Sequence, residues 1–241
     1  MNESIPSKLP EDRARFFWVM PVIAGGIVLL MGAATVWVSL RLGSDARIPI
    51  HWNGRGEING WAGKGGLWII PAVSAVELAL FVLIPFFEPR RGKKLLESKA
   101  YGAVVLGIIV VMASVQIGVI SASLGKSFPM NHVIFTAIGG LFLVIGCSLA
   151  KVKSNFVMGV RNPWTLSSDL SWDKTHRLAG KLFVLYGLIL IVAGWIPAKW
   201  DRGIWVIVGG GVALVGVISA YSYRVWKNDP DREPAPKSKR E

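Results

Sequence analysis

The chain has 241 residues, of which 52% are hydrophobic and only 17% charged. That balance excludes both an ordinary soluble domain and a polar disordered chain. The net charge of +12 would suit a nucleic-acid binder, but the basic residues lie between apolar runs. There they meet anionic lipid headgroups, which argues for membrane lipids as partners and against direct nucleic-acid binding.

Six apolar runs follow in chain order: Phe16–Leu40, Leu67–Phe87, Tyr101–Leu124, His132–Ala150, Leu182–Ala198 and Gly203–Tyr223. Each is close to the roughly 20 residues that cross a bilayer core. Backbone polar groups find no water there, so each run must be helical. The sequence therefore predicts an all-α integral membrane protein, a six-helix transmembrane bundle. Its organisation is a terminus over 1–15, a three-span half over 16–124, a second over 125–223, and a disordered tail over 224–241. The first run exceeds the 7–15 apolar residues of a signal peptide and lacks a small-x-small cleavage site, so it reads as a retained helix. Cys147, the single cysteine, lies inside the fourth run and says nothing of redox compartment.

Lys and Arg divide 20 to 7 between the two sets of joints. The positive-inside rule then predicts that both termini and the 151–180 joint are cytoplasmic (N-in/C-in). Trp18 and Trp226 fall near inner helix ends, and Trp37, Trp68, Trp195, Trp200 and Trp205 near outer ones, as indole prefers the headgroup boundary. Gly25-Gly26, Gly139-Gly140 and Gly209-Gly210-Gly211 would allow close helix approach.

The outer loop, 41–66, holds Ile48-Pro-Ile-His-Trp-Asn-Gly-Arg-Gly-Glu-Ile-Asn-Gly-Trp61. Pro49 suggests an extended start, and Asn53-Gly54 and Asn59-Gly60 read as turns. His51, Glu57 and His132 lack metal-ligand spacing, so a turn-rich cap packing Trp52 and Trp61 on the bundle is preferred and no metal is expected. Glu77 is a carboxyl in the middle of the second run, where it is costly. It is expected to face the interior, with Gln116 or Ser114 as partner, serving a proton relay, a ligand anchor or a plain interhelical bond.

The inner block divides into a turn and a helix start. Gly159 and Pro163 break any helix and hold Arg161 between them. Ser167 or Ser168 can N-cap a helix with Asp169 in its first turn. That helix would place Trp172, His176 and Gly180 on one face, with Asp173 and Arg177 as an (i, i+4) pair. An interfacial turn anchored by Trp164 and Trp172 is the structural alternative. No P-loop, H-E-x-x-H or G-x-S-x-G motif is present, so neither an enzyme nor a cofactor is expected.

The block N-x-x-x-G-V-R-N-P-W-T-L-S-S-D-x-x-W-x-x-T-H-R-x-x-G, Asn155 to Gly180, resembles the signature of the SdpI family of bacterial membrane proteins. The segment I-P-I-H-W-N-G-R-G-E-I-N-G-W-A-G-K, from Ile48 to Lys64, is similar to the I-P-x-H-W-N domain of the same proteins. Two positions depart from the pattern: Asn162 stands where Thr is frequent, and Asn59 where an acid is frequent. The resemblance implies a multi-pass protein of the bacterial inner membrane that gives immunity to a peptide toxin (bacteriocin) and signals by sequestering a cytoplasmic transcriptional repressor. Carried over, Asn155, Gly159, Arg161, Thr165, Trp172, His176 and Gly180 would form the cytoplasmic partner face. Pro49, His51, Trp52, Asn53, Gly56 and Trp61 would form the toxin-facing cap. The alternative is a small transporter or channel that uses Glu77.

Overall fold

The computed structural model describes residues 11–87, 98–196 and 203–232. The basic joint with Arg90, Arg91, Lys93 and Lys94, the position of Trp200 and the tail beyond 232 lie outside the described residues.

Helix α1 (Glu11–Ser39) leads to a hairpin of β1 (Ile48–Trp52) and β2 (Ile58–Ala62). A 3-10 turn over Lys64–Trp68 runs into α2 (Ile69–Leu83), which ends in a second such turn, Ile84–Phe87. Then come α3 (Lys99–Ser123), α4 (Met130–Leu149), the one-turn α5 (Pro163–Leu166), α6 (Asp169–Trp195) and α7 (Gly203–Lys227). Six of these helical stretches are long and apolar enough to cross a membrane. All six expected runs are found as helices.

The helices alternate in direction. The Tyr101 hydroxyl at the start of α3 donates to Phe81 O near the end of α2, at 2.6 Å. At the opposite end of the same pair, Gln116 Nε2 donates to Leu67 O at 3.1 Å. The hairpin therefore caps one end of the bundle and the 155–180 block closes the other. The first part of α1 and the end of α7 both lie at the block end: Met20 packs on Gly102 at the start of α3, and Ser171 Oγ donates to Ser222 O at 3.0 Å.

Buried apolar side chains form three clusters. Phe135, Leu149, Ala179, Tyr186, Leu190, Leu214 and Ile218 join α4, α6 and α7. Val38, Ile48, Leu67 and Val119 lock the hairpin onto α1 and α3. Tyr101 and Val105 receive Val157 and Met158 of the block.

Three local expectations are corrected. Asn59 and Gly60 lie within β2, paired with β1, and only Asn53-Gly54 makes a turn. The tail expected from 224 is ordered at first: α7 runs to Lys227, with Arg224 and Lys227 in its last turn, where cations suit the helix dipole. Past its end, Asp229 is buried and accepts from Ser168 Oγ. The glycine runs hold only in part: Gly139 and Gly210 are points of close approach, whereas a Cβ on Gly26, Gly140 or Gly209 would meet nothing within 4 Å.

Backbone meets backbone between α4 and α6. A Cβ on Gly139 would stand 2.6 Å from Gly187 O, and one on Gly146 would stand 2.7 Å from Gly180 O. A Cβ on Gly194 would meet that of Phe135 at 2.6 Å. Glycines seven residues apart return to nearly the same face of a helix, so they leave one narrow seam along which two backbones touch.

Candidate functional site

The block end is assembled from four short devices. Asn155 knots the chain first: its Oδ1 accepts from the N–H of Val157 and of Met158, both at 2.7 Å, while Nδ2 donates to Lys153 O and Met158 O at 2.8 and 3.1 Å. All four bonding positions of the amide are used, which fixes the turn and explains its burial.

Gly159 follows with φ +118°, a conformation that disfavours any Cβ, and a Cβ there would collide with His176 Nε2. The empty space lets Val160 N–H donate to His176 Nε2 at 2.9 Å. His176 Nδ1 lies 2.8 Å from Trp172 O. A carbonyl only accepts and a backbone N–H only donates, so the ring is the neutral Nδ1–H tautomer. Both nitrogens are committed to backbone, which leaves no lone pair for a metal or for general-base chemistry.

Trp172 stacks on that ring, with centroids 4.0 Å apart, and donates Nε1–H to Val152 O at 2.8 Å. It is 1% exposed, so it ties the block to the end of α4 and is not a headgroup anchor. Trp164 alone keeps an interfacial character, half-buried and edge-on to Tyr223 at 5.3 Å.

The third device is α5. Asn162 Oδ1 accepts from Thr165 N–H at 3.0 Å, and Thr165 Oγ1 returns the bond to Asn162 N–H, a reciprocal capping box with Pro163 at the first helical position. Asn and Thr are both good N-caps, so the departure at this position preserves the turn. Asn additionally donates Nδ2 to Ser222 Oγ at 2.8 Å, tying α5 to α7.

Ser168 is the fourth. It caps α6 by accepting from Ser171 N–H at 2.8 Å, with Asp169 in the first turn. Of the two serines considered, Ser168 is the cap. Asp173 and Arg177 make no ion pair with each other; both are exposed, and such a pair would add only about 0.3–0.5 kcal/mol.

The proposed partner residues thus divide. Asn155, Thr165, Trp172, His176 and Gly180 are buried, and Gly159 is half-buried against His176. Arg161 is exposed, its guanidinium donating to Phe156 O. Phe156 is 40% exposed and was not singled out from the sequence. The buried set is a frame that holds the loop carrying Phe156 and Arg161.

At the other end, Asn53 Oδ1 accepts from Arg55 N–H and Glu57 N–H, and its Nδ2 donates to Glu57 Oε2 at 2.8 Å. Gly56 takes φ +78° and packs on Asn131, whose Nδ2 donates to Gly54 O at 3.2 Å. Pro49 is fully buried and Trp52 half-buried, whereas His51 and Trp61 are exposed. His51 Nδ1 lies 2.5 Å from Asn59 Oδ1, so the amide serves as acceptor without a charge. His132 stacks edge-on to Trp195 at 5.2 Å. Among the described residues no group of His, Cys, Asp or Glu could hold a metal ion.

The intramembrane polar pair is separated. Gln116 Nε2 donates to Thr35 Oγ1 at 2.8 Å and to Leu67 O, at the hairpin end. Glu77 lies ten residues further along the α2 stretch and its Oε2 bonds neither Gln116 nor Ser114, whose hydroxyl bonds Val110 O. The antiparallel register sets Leu67, not Glu77, level with Gln116. Glu77 Oε2 and Gln116 Oε1 are both buried without a hydrogen-bond partner.

Sequence comparison agrees with the motifs. Residues 151–222 match the SdpI/YfhL protein family, and residues 26–75 match a domain of unknown function (DUF1648). The chain is 23% identical over 176 residues to the "Immunity protein SdpI" of Bacillus subtilis (strain 168), covering 73% of this chain and 83% of that protein. No solved structure matches significantly. The likeness to the SdpI family is therefore found beyond the motif itself, and with six spans it marks a multi-pass protein of the bacterial inner membrane.

Proposed function

We propose that the chain protects a bacterial cell from a peptide toxin and signals the toxin's presence by holding a cytoplasmic transcriptional repressor at the membrane. The observation that carries this reading is the build of the two motif segments. Each is a braced, partly exposed face, and they stand at opposite ends of one bundle. The 20-to-7 charge split supports a cytoplasmic block end and an outer hairpin.

In this reading His51, Trp61 and the 43%-exposed Ile50 meet the toxin, while Pro49, Trp52, Asn53 and Gly56 hold the hairpin in shape. Inside, Arg161 and Phe156 meet the repressor. Asn155, Gly159, Thr165, Trp172, His176 and Gly180 hold the loop that presents them. The likeness to an immunity protein supports the toxin half.

The test is survival of a toxin-sensitive bacterium that expresses the protein, challenged with the secreted toxin of a producing strain. Wild type is expected to protect, and His51→Ala/Trp61→Ala to protect less at equal membrane abundance. Absence of protection by wild type at normal abundance overturns the reading.

A transport role is favoured by one observation, the unpartnered buried oxygen of Glu77. Proton flux in proteoliposomes that Glu77→Gln abolishes would establish it.

A further inference from the structure

Near the block end, a cleft of about 320 Å³ opens between the first turns of α6 and the last turns of α7. Its walls are Leu170 and Lys174 from α6, and Tyr221, Arg224, Val225 and Asn228 from α7. Two cations from different helices converge on it, a phenol and an amide add donors, and no carboxylate lines it. Among the described residues, neither Lys174 nor Arg224 has a hydrogen-bond or ion-pair partner. Two uncommitted cations held side by side repel each other, and a shared anion removes that repulsion.

Aromatic contacts mark the depth. Trp164 packs on Tyr223 at 5.3 Å, and Tyr223 on Trp226 at 6.1 Å, within one turn of Arg224. Such rings gather at the headgroup level of a bilayer. The bond from Ser171 to Ser222 fixes the two helices at this level, so the walls are held in place. Below the cleft, Val217 lies one turn from Tyr221 on α7 and is 53% exposed, an apolar path toward the acyl region. Leu170 and Val225 make the upper wall apolar as well.

We infer that this cleft is a specific site for an anionic phospholipid, whose phosphate is held by Lys174 and Arg224 and whose chains lie along α7. The recognition chemistry is that of a phosphate ester: a guanidinium that can bond two oxygens at once, and an ammonium as a point charge. A free phosphate offers the same oxygens but has no use for the apolar path, which commits the site to lipid. The inference depends only on the chain lying in a membrane, not on the immunity reading.

Full-length protein purified in detergent would be mixed with phosphatidylglycerol or with phosphatidylcholine, and retained lipid counted by native mass spectrometry. Wild type should retain phosphatidylglycerol and not phosphatidylcholine. Lys174→Gln/Arg224→Gln should retain it roughly ten-fold or more less well. Lys151→Gln/Lys153→Gln, which removes the same charge outside the cleft, should retain it as wild type does. Lys174→Arg/Arg224→Lys keeps the charge and should restore binding, which separates loss of the site from loss of fold. Equal retention of both lipids, or equal loss in the control variant, would overturn the proposal. Displacement of the lipid by millimolar inorganic phosphate would also overturn it, assigning the cleft to a soluble phosphate ester.

Discussion

Gly146 of α4 and Gly180 of α6 face each other so that each backbone oxygen occupies the space of the other's missing side chain. A Cβ on Gly146 would lie 2.7 Å from Gly180 O, and a Cβ on Gly180 would lie 2.8 Å from Gly146 O. The same reciprocity recurs seven residues away, between Gly139 and Gly187, at 2.6 Å in both directions. In lipid there is no hydrophobic drive to hold two helices together, so backbone proximity and its van der Waals contact carry the association.

Gly146→Val or Gly187→Val should therefore force α4 and α6 apart. Overpacking of this kind costs about 1–3 kcal/mol, and here the obstacle is backbone, which cannot move aside. Gly26→Ala meets nothing within 4 Å and should be neutral or slightly stabilising, because alanine is the better helix former. Thermal melting of the detergent-solubilised protein checks both. Equal loss in all three variants would show that the seam is not special.

The same seam shows what was legible in the sequence. The six spans can be read because a bilayer demands uninterrupted apolar length, and Ser167-Ser168 before Asp169 announces the start of α6 chemically, though not which serine caps it. The seven-residue glycine spacing is also present in the chain, but the motif around Gly180 draws it into a partner face. Ser222 and Asp229 gave no local signal, since their bonds to Asn162 and Ser168 cross about 60 residues of chain. Burial of Trp172 and His176 was equally hidden. A polar motif at a helix start looks the same whether it faces water or folds over its own loop.

Gly159 and His176 act as one unit. Gly159→Ala places a methyl group against the imidazole and strains a positive φ, a cost of about 1–3 kcal/mol. His176→Ala leaves Val160 N–H without its acceptor, a loss of similar size. Because both changes break the same contact, the double variant should be little worse than the worse single one. Proteolysis of the 155–162 loop in membranes measures this directly. Additive effects would mean that the two residues stabilise separate features.

Glu77→Gln should leave stability nearly unchanged. Its Oε2 has no partner to lose, and the amide is neutral at every pH. Melting temperature and membrane yield should match wild type, and toxin protection should persist. Loss of protection with an intact fold would mean that proton exchange at Glu77 is part of the activity, which favours the transport reading over the binding one.

The frame and the presented face should separate in a capture experiment. Arg161 is exposed and touches the rest of the protein through Phe156 O, so Arg161→Ala should leave the fold intact. If the guanidinium makes a charge-assisted contact with a cytoplasmic repressor, its removal costs about 1.5–3 kcal/mol, or ten-fold or more in affinity. Trp172 is 1% exposed and cannot touch a partner directly. Trp172→Ala should instead lower stability by about 3–5 kcal/mol, as expected for deleting a buried indole, and weaken capture only through the lost frame. Co-purification of the repressor, measured beside melting temperature, distinguishes the two. Capture lost at full stability for Arg161→Ala supports the signalling face; capture unchanged there, with every defect tracking stability, would reduce the whole block to a structural clasp.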